Sequence, residues 1–324
     1  MITLYQLHWS HFVEKVRWAL DFKGVEWCAV DVDPFTKQQM KHLQCKTTLD
    51  SGRQLYTVPT IHDAATGAVV GDSSGILAYL ERAYPSPALY PAEAAEREDV
   101  TRWMLWLDST LGLGARRLAY TQLALEHPGF LGELFVPRLA GANGGRKLKA
   151  KIAGAIIAGV LTRRFRFLHN RADGVFEQLE HCLLTGAERL SSRPYLVGDR
   201  FTAADLTLAA LMRPALVVPY FRDHPRLQGL VDWRERQLQA FRREPRNSYE
   251  TALHDIRRRR GWALGAASWL PASQRSEHSP VTEIPTLPVA RNDQHSVGRW
   301  PVIQAPLWYV RLALTCGLGR TSYS

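Results

Sequence analysis

An α/β domain followed by an all-α domain is the architecture this sequence predicts, and three observations carry it. Residues 2–7 and 25–32 read as strands on either side of a helical stretch in which Phe12, Val13, Val16, Ala19 and Leu20 recur at helical spacing. Val58-Pro59-Thr60 then opens a short apolar strand, although proline lacks the N–H a ladder needs and is confined to edges and strand starts. Beyond Pro85, Pro87 and Pro91 the pattern is helical to about residue 256.

Each element follows from its local sequence. Gly24 stops the first helix. A strand, a crossover helix and a second strand make a parallel, right-handed pair, so residues 2–32 form a βαβ unit. Residues 34–56 are less regular. Residues 60–62 and 68–70, joined by a turn at Thr66-Gly67, form a hairpin, and a helix over 73–84 closes the domain. This βαβ then ββα order is thioredoxin-like. In that fold the proline at the position of Pro59 is cis and turns the preceding backbone outward, where an extended peptide pairs with it. The proline cluster marks a linker over 85–93 between domains at 1–84 and 94–260. In the second domain Trp103, Leu105, Trp106, Leu107, Leu111 and Leu113 outline a long first helix, and Phe176, Leu179, Leu183 and Leu190 give a later one its apolar stripe. The tail at 261–324, rich in Pro, Ser and Trp, has no sustained period and reads as an added, disordered or loosely docked segment.

Bulk composition narrows the function classes. With 324 residues, 46% hydrophobic and 22% charged, the chain suits a two-domain globular enzyme. Its 41 Lys and Arg against 31 Asp and Glu suit an anionic partner. No zinc-finger spacing or interleaved aromatic stripe accompanies that charge, so nucleic acid is not the expected partner. Cys28, Cys45, Cys182 and Cys316 lie far apart without metal-ligand spacing, which argues against a disulfide framework and a zinc site and points to a reducing compartment. His8 and His11 lack a third ligand at a defined spacing, so no metal is expected. No secretory pattern opens the chain and no apolar run reaches the roughly 18–20 residues of a membrane span, so a cytoplasmic location is expected.

Gly198-Asp199-Arg200-Phe201-Thr202-Ala203-Ala204-Asp205-Leu206 predicts a helix start closed by a capping box, with Thr202 as the cap and Asp205 returning the bond. Behind a Val-Pro-Thr strand and an Asp72-Ser73 helix start, this stretch resembles the buried helix start of the glutathione transferase family. The resemblance covers about residues 1–260, and the run from Ser10 to Asp21 is similar to the opening of a bacterial branch that often carries cysteine where this chain has Val13. It implies a thioredoxin-like α/β N-terminal domain joined to an all-α C-terminal domain. It also implies glutathione as co-substrate, an electrophilic small molecule as second substrate, and a homodimer. The departure at Val13 argues against thiol chemistry carried by the enzyme itself.

The same resemblance assigns candidate residues. Ser10, at the junction of the first strand and helix, resembles the family's catalytic serine or cysteine. A glutathione thiol has a free pKa of roughly 8.5, and a hydroxyl donor at the positive end of a helix holds it as the thiolate. A helix N-cap is the other reading of Ser10. His11 is a second donor or general base on one reading, a surface histidine on the other. Val58 pairs through its backbone with the cysteinyl unit, and Pro59 fixes the direction of that backbone. Asp72 and Ser73 resemble the acidic-serine pair that takes the γ-glutamyl amine and carboxylate, or they are plain helix caps. Trp103, Trp106, Arg116 and Tyr120 are candidate walls of the electrophile pocket. The basic segment at 146–166 reads as a solvated helix face, a wall for acidic substrates, or a helix lying on an anionic membrane. Against the enzyme stands a second hypothesis, a non-catalytic scaffold of the same fold that binds a peptide, a thiol or a partner, with a membrane surface as one setting for it.

Overall fold

Strand β1 (Ile2–Gln6) lies parallel to β2 (Trp27–Asp31), and α1 (His11–Phe22) crosses between them. In the computed structural model, which describes residues 1–48, 52–136, 145–165 and 172–242, the sheet continues with the hairpin β5 (Thr60–Asp63) and β6 (Ala68–Gly71). The order is β2-β1-β5-β6, with β5 antiparallel to both neighbours. Gly67, at φ 73, makes the tight hairpin turn that a side chain would disfavour. The irregular stretch expected at 34–56 contains a 3-10 helix (Gln38–Leu43) and a two-stranded ribbon of β3 (Thr47–Thr48) and β4 (Gln54–Leu55). Helix α2 (Ser73–Ala83) closes this thioredoxin-like domain. The expected end of the helical region near 256 and the tail at 261–324 lie outside the described residues.

The helical domain opens with α3 (Ala94–Leu107), a π-helical turn (Asp108–Gly112) and α4 (Leu113–Glu126), so the expected long helix carries a bulge at its centre. Such bulges recur at functional sites because the extra residue redirects the backbone. Then come α5 (Pro128–Phe135), α6 (Gly145–Phe165), α7 (Ala172–Ser191), α8 (Ala203–Leu211), α9 (Pro219–Asp223) and α10 (Gln228–Phe241). Short α5 meets α6 backbone to backbone, since a Cβ on Gly132 or Gly154 would strike the carbonyls of Ala150 or Pro128. The capping box at α8 forms as expected. Asp205, fully buried, accepts from Leu196 N at 2.7 Å, Thr202 N at 2.9 Å and Thr202 Oγ1 at 2.8 Å.

One apolar core joins the two domains. Ile2, Leu4, Val13, Val16 and Ile76 belong to the same cluster as Val100, Leu107, Leu206 and Leu211. Fully burying each such side chain is worth about 1.5–3 kcal/mol, so the domains stabilise each other. Helix α1 is buried on nearly every side, including its charged residues Glu14, Lys15, Arg17 and Asp21.

Candidate functional site

The sheet register brings the predicted site residues to one edge. Tyr5 of β1 lies opposite Thr60 of β5, and Thr60 lies opposite Gly71 of β6. The chain leaving β1 toward Ser10, the turn entering β5 at Val58-Pro59, and the start of α2 at Asp72-Ser73 therefore share the same end of the sheet. These are residues far apart in sequence, and the strand pairing alone collects them.

Ser10 is the N-cap of α1, with its Oγ accepting from Val13 N at a long 3.4 Å. Its hydroxyl proton is engaged by nothing among the described residues and can donate to a ligand. The N-cap reading of Ser10 is met by this bond. His11 is different. Its ring is 3% exposed, and Nε2–H donates to Gly112 O at 2.7 Å across the domain boundary. Burial, joined by the Arg116 and Arg213 charges, pushes its pKa down to about 3, so the ring is neutral and that nitrogen is not a base. His11 is therefore a tie between α1 and the π turn, which corrects both of its sequence readings. Gly112 permits the close approach, because a Cβ there would sit 2.6 Å from Phe12 Cζ. Burial is the main cause of His11's neutrality, and the Arg116 and Arg213 charges that add to it, with the positive end of α1, favour an anion at this helix start.

The Val58–Pro59 bond is cis, as the thioredoxin-like order predicts. Thr60 Oγ1 donates to Thr57 O at 2.9 Å and pins this turn. The Val58 side chain packs against the core, while no hydrogen bond within the described residues engages its backbone N–H or C=O. Asp72, exposed and at φ 66, is the N-cap of α2, and its Oδ2 accepts from Gly75 N at 3.0 Å. A non-glycine residue at positive φ is uncommon and recurs at ligand clamps. Ser73 is buried in the first turn, where free N–H groups favour a carboxylate. In the segment between β2 and β5, Lys41, Gln44, Lys46, Gln54 and Tyr56 line an open hollow of about 490 Å³. Sequence reasoning passed over it because it lies in the stretch without a period.

Two buried ionic clusters also escaped the sequence reading. The Lys15 ammonium, with no exposure, contacts both Asp108 carboxylate oxygens at 2.8 Å and Ser74 Oγ at 2.9 Å, and Ser74 Oγ donates to Asp108 Oδ2 at 2.6 Å. This ties α1, the first turn of α2 and the π turn together beside Asp72. Deeper, the Glu14 carboxylate contacts Arg17 at 3.2 Å, Arg213 at 3.3 Å and Arg242 at 3.2 Å, and accepts from Trp18 Nε1 at 3.1 Å. Arg242 also bonds Asp21. Burial works against the Glu14 charge, yet the guanidiniums prevail and hold its pKa well below the usual range. The available signal was Glu14, Arg17 and Asp21 at helical spacing among the apolar residues of α1.

A second apolar cluster stands beside Ser10. Trp9, 7% exposed, donates Nε1–H to Tyr120 OH at 3.2 Å, and its ring lies 5.1 Å from Phe135 of α5. Phe35 approaches Phe135 at 6.1 Å, and the Arg116 guanidinium lies 5.9 Å from the Phe12 ring. Of the candidate wall residues, Arg116 and Tyr120 stand near the site. Trp103 instead belongs to the main core with Trp106 packed against it, the rings 5.4 Å apart.

Comparison with known families bears directly on this arrangement. The profile of the glutathione S-transferase N-terminal domain matches residues 4–88, and that of the C-terminal domain matches residues 155–239, together more than half of the chain. The chain belongs to the glutathione S-transferase family. Solved structures share its fold. Glutathione transferase GSTFuA2 from Phanerochaete chrysosporium is 22% identical, with a TM-score of 0.54 over 74% of this chain and 98% of that one. GSTFuA3 from the same organism is 21% identical, with a TM-score of 0.53 over 73% and 95%. Beta-etherase LigF from Sphingobium sp. strain SYK-6 is 21% identical, with a TM-score of 0.52 over 78% and 99%. No curated protein matches the chain significantly. In this glutathione S-transferase-family chain the N-terminal match spans Ser10, Val58, Pro59, Asp72 and Ser73, and the C-terminal match spans the α8 capping box.

Proposed function

We propose that this chain is a cytoplasmic, homodimeric glutathione transferase whose domain at 1–84 binds glutathione and whose helical domain at 94–260 faces an electrophilic, apolar second substrate. Ser10 donates its hydroxyl proton to the glutathione sulfur and holds it as the thiolate, assisted by the positive end of α1. The backbone of Val58, directed by Pro59, pairs with the cysteinyl unit. Asp72 takes the γ-glutamyl amine, and Ser73 with the α2 N-terminus takes its carboxylate. The glycyl carboxylate falls to Lys41 and Lys46 in the hollow lined by Tyr56. His11 acts by positioning α1 against the π turn. The thiolate attacks the electrophile, an S–C bond forms, the leaving group departs with the bonding pair, and the thiol proton passes to solvent.

The observation that carries this reading is the convergence of an uncommitted Ser10 hydroxyl proton, an unengaged Val58 backbone and the α2 start at one sheet edge. Calorimetric titration with reduced glutathione, beside turnover of an activated aryl halide, tests it. Ser10→Ala should keep its glutathione affinity and lose about a hundredfold in turnover, the usual range for losing one proton donor. A folded wild-type chain that binds no glutathione would overturn the reading. Binding without turnover in the wild type would favour the scaffold.

A further inference from the structure

Helix α6 is apolar on two opposite sides, and among the described residues only one of them is covered. Ala150, Ile157 and Leu161 are buried, and Gly154 lies backbone to backbone against Pro128 at the start of α5. On the opposite side Leu148 is 62% and Ile152 51% exposed, and exposed Ala155 and Gly159 continue their stripe at helical spacing. Val160 at the flank is 41% exposed. Exposed Lys147, Lys149 and Lys151 border the stripe on both sides. Residues 145–165 contain six Lys and Arg and no Asp or Glu.

We infer that this face of α6 docks the protein on an anionic lipid surface, with Leu148 and Ile152 entering the acyl boundary and Lys147, Lys149 and Lys151 meeting lipid phosphates and carboxylates. Charge complementarity selects this occupant. A second copy would oppose one acid-free basic helix with another, a like-charge contact that costs affinity. The chain's own tail at 261–324 has five Arg against three Asp and Glu, so it supplies no complementary charge. Nucleic acid would match the lysines and leave the leucine and isoleucine in water. Lysine stems cover apolar surface while their ammonium groups reach the headgroups, which suits an amphipathic helix lying in the interface.

Co-sedimentation of the full chain with vesicles of equal phosphatidylcholine and phosphatidylserine at low ionic strength tests this. The chain should pellet with these vesicles, should not pellet with pure phosphatidylcholine, and should release as salt rises. Lys147→Gln, Lys149→Gln and Lys151→Gln together should weaken binding about a hundredfold, at about fivefold per lysine. Leu148→Gln with Ile152→Gln should abolish it, and because both side chains are exposed, the thermal melt should not move. The proposal fails if the wild type ignores anionic vesicles or if either set of variants binds as tightly as the wild type. It also fails if Leu148→Gln with Ile152→Gln converts a dimer to monomers in sedimentation velocity, which would make a second copy the occupant.

Discussion

Asp72 performs two duties that most substitutions would confound. It caps α2 through Gly75 N and holds a positive φ of 66°. An alanine there loses the cap, at about 0.5–2 kcal/mol, and meets a backbone conformation costing about 1–3 kcal/mol for a residue without a short polar side chain. A fall in glutathione binding in that variant would then say little about the ligand. Asn is the cleaner perturbation: its amide oxygen accepts from Gly75 N, it tolerates positive φ, and it removes only the charge. Asp72→Asn should therefore melt within about 0.5 kcal/mol of the wild type. A charge-assisted bond to an amine is worth about 1.5–3 kcal/mol. Asp72 is exposed, so solvent screening lowers this to about 1–2 kcal/mol, or about five- to thirtyfold in affinity. Calorimetric titration with reduced glutathione beside a urea melt reads both quantities. An unchanged melt with unchanged affinity would refute the pairing and leave Asp72 as a helix cap only.

Further predictions concern the buried charges. Glu14→Gln deprives Arg17, Arg213 and Arg242 of their shared carboxylate and should cost about 3–5 kcal/mol in urea unfolding followed by tryptophan fluorescence; a loss under about 1 kcal/mol would dismiss the cluster as a stabiliser. Asp108→Ala strands the buried Lys15 ammonium and should cost about 3 kcal/mol, most of it recovered in the double variant Lys15→Met with Asp108→Leu. Burial raises the Asp205 carboxyl to about 6, above its unfolded value of 3.8, so the folded state binds the extra proton between these values. The stability this group contributes is complete below about pH 4 and lost as pH rises through about 6, some 3 kcal/mol in all. Urea melts across that window should show the slope in the wild type and not in Asp205→Asn, and equal slopes would refute the assignment.

What was legible in the sequence is what depends on local pattern. The period of residues 2–32, Gly24 and Gly67 at their turns, the proline that starts β5, and Thr202 with Asp205 at the start of α8 each impose their structure through a few neighbouring residues. Ser10, Val58 and Asp72 were visible for the same reason, since each stands at the end of an element. The sequence by itself therefore determined the order of the elements and the residues that stand at their ends.

Only the tertiary structure decided how charge is used. Helix α1 lies between the sheet and the helical domain, so Glu14 and Lys15 have no solvent to reach and must find Arg213, Arg242 and Asp108, residues roughly a hundred to over two hundred positions away. Local periodicity holds no information about such partners. His11 was converted from a candidate base to a structural donor by the same burial, and Trp103 from a pocket wall to core. The exposed stripe on α6 likewise became visible only when α5 had taken the opposite face, because a helix that is apolar on two sides does not reveal in its sequence which side the fold will cover.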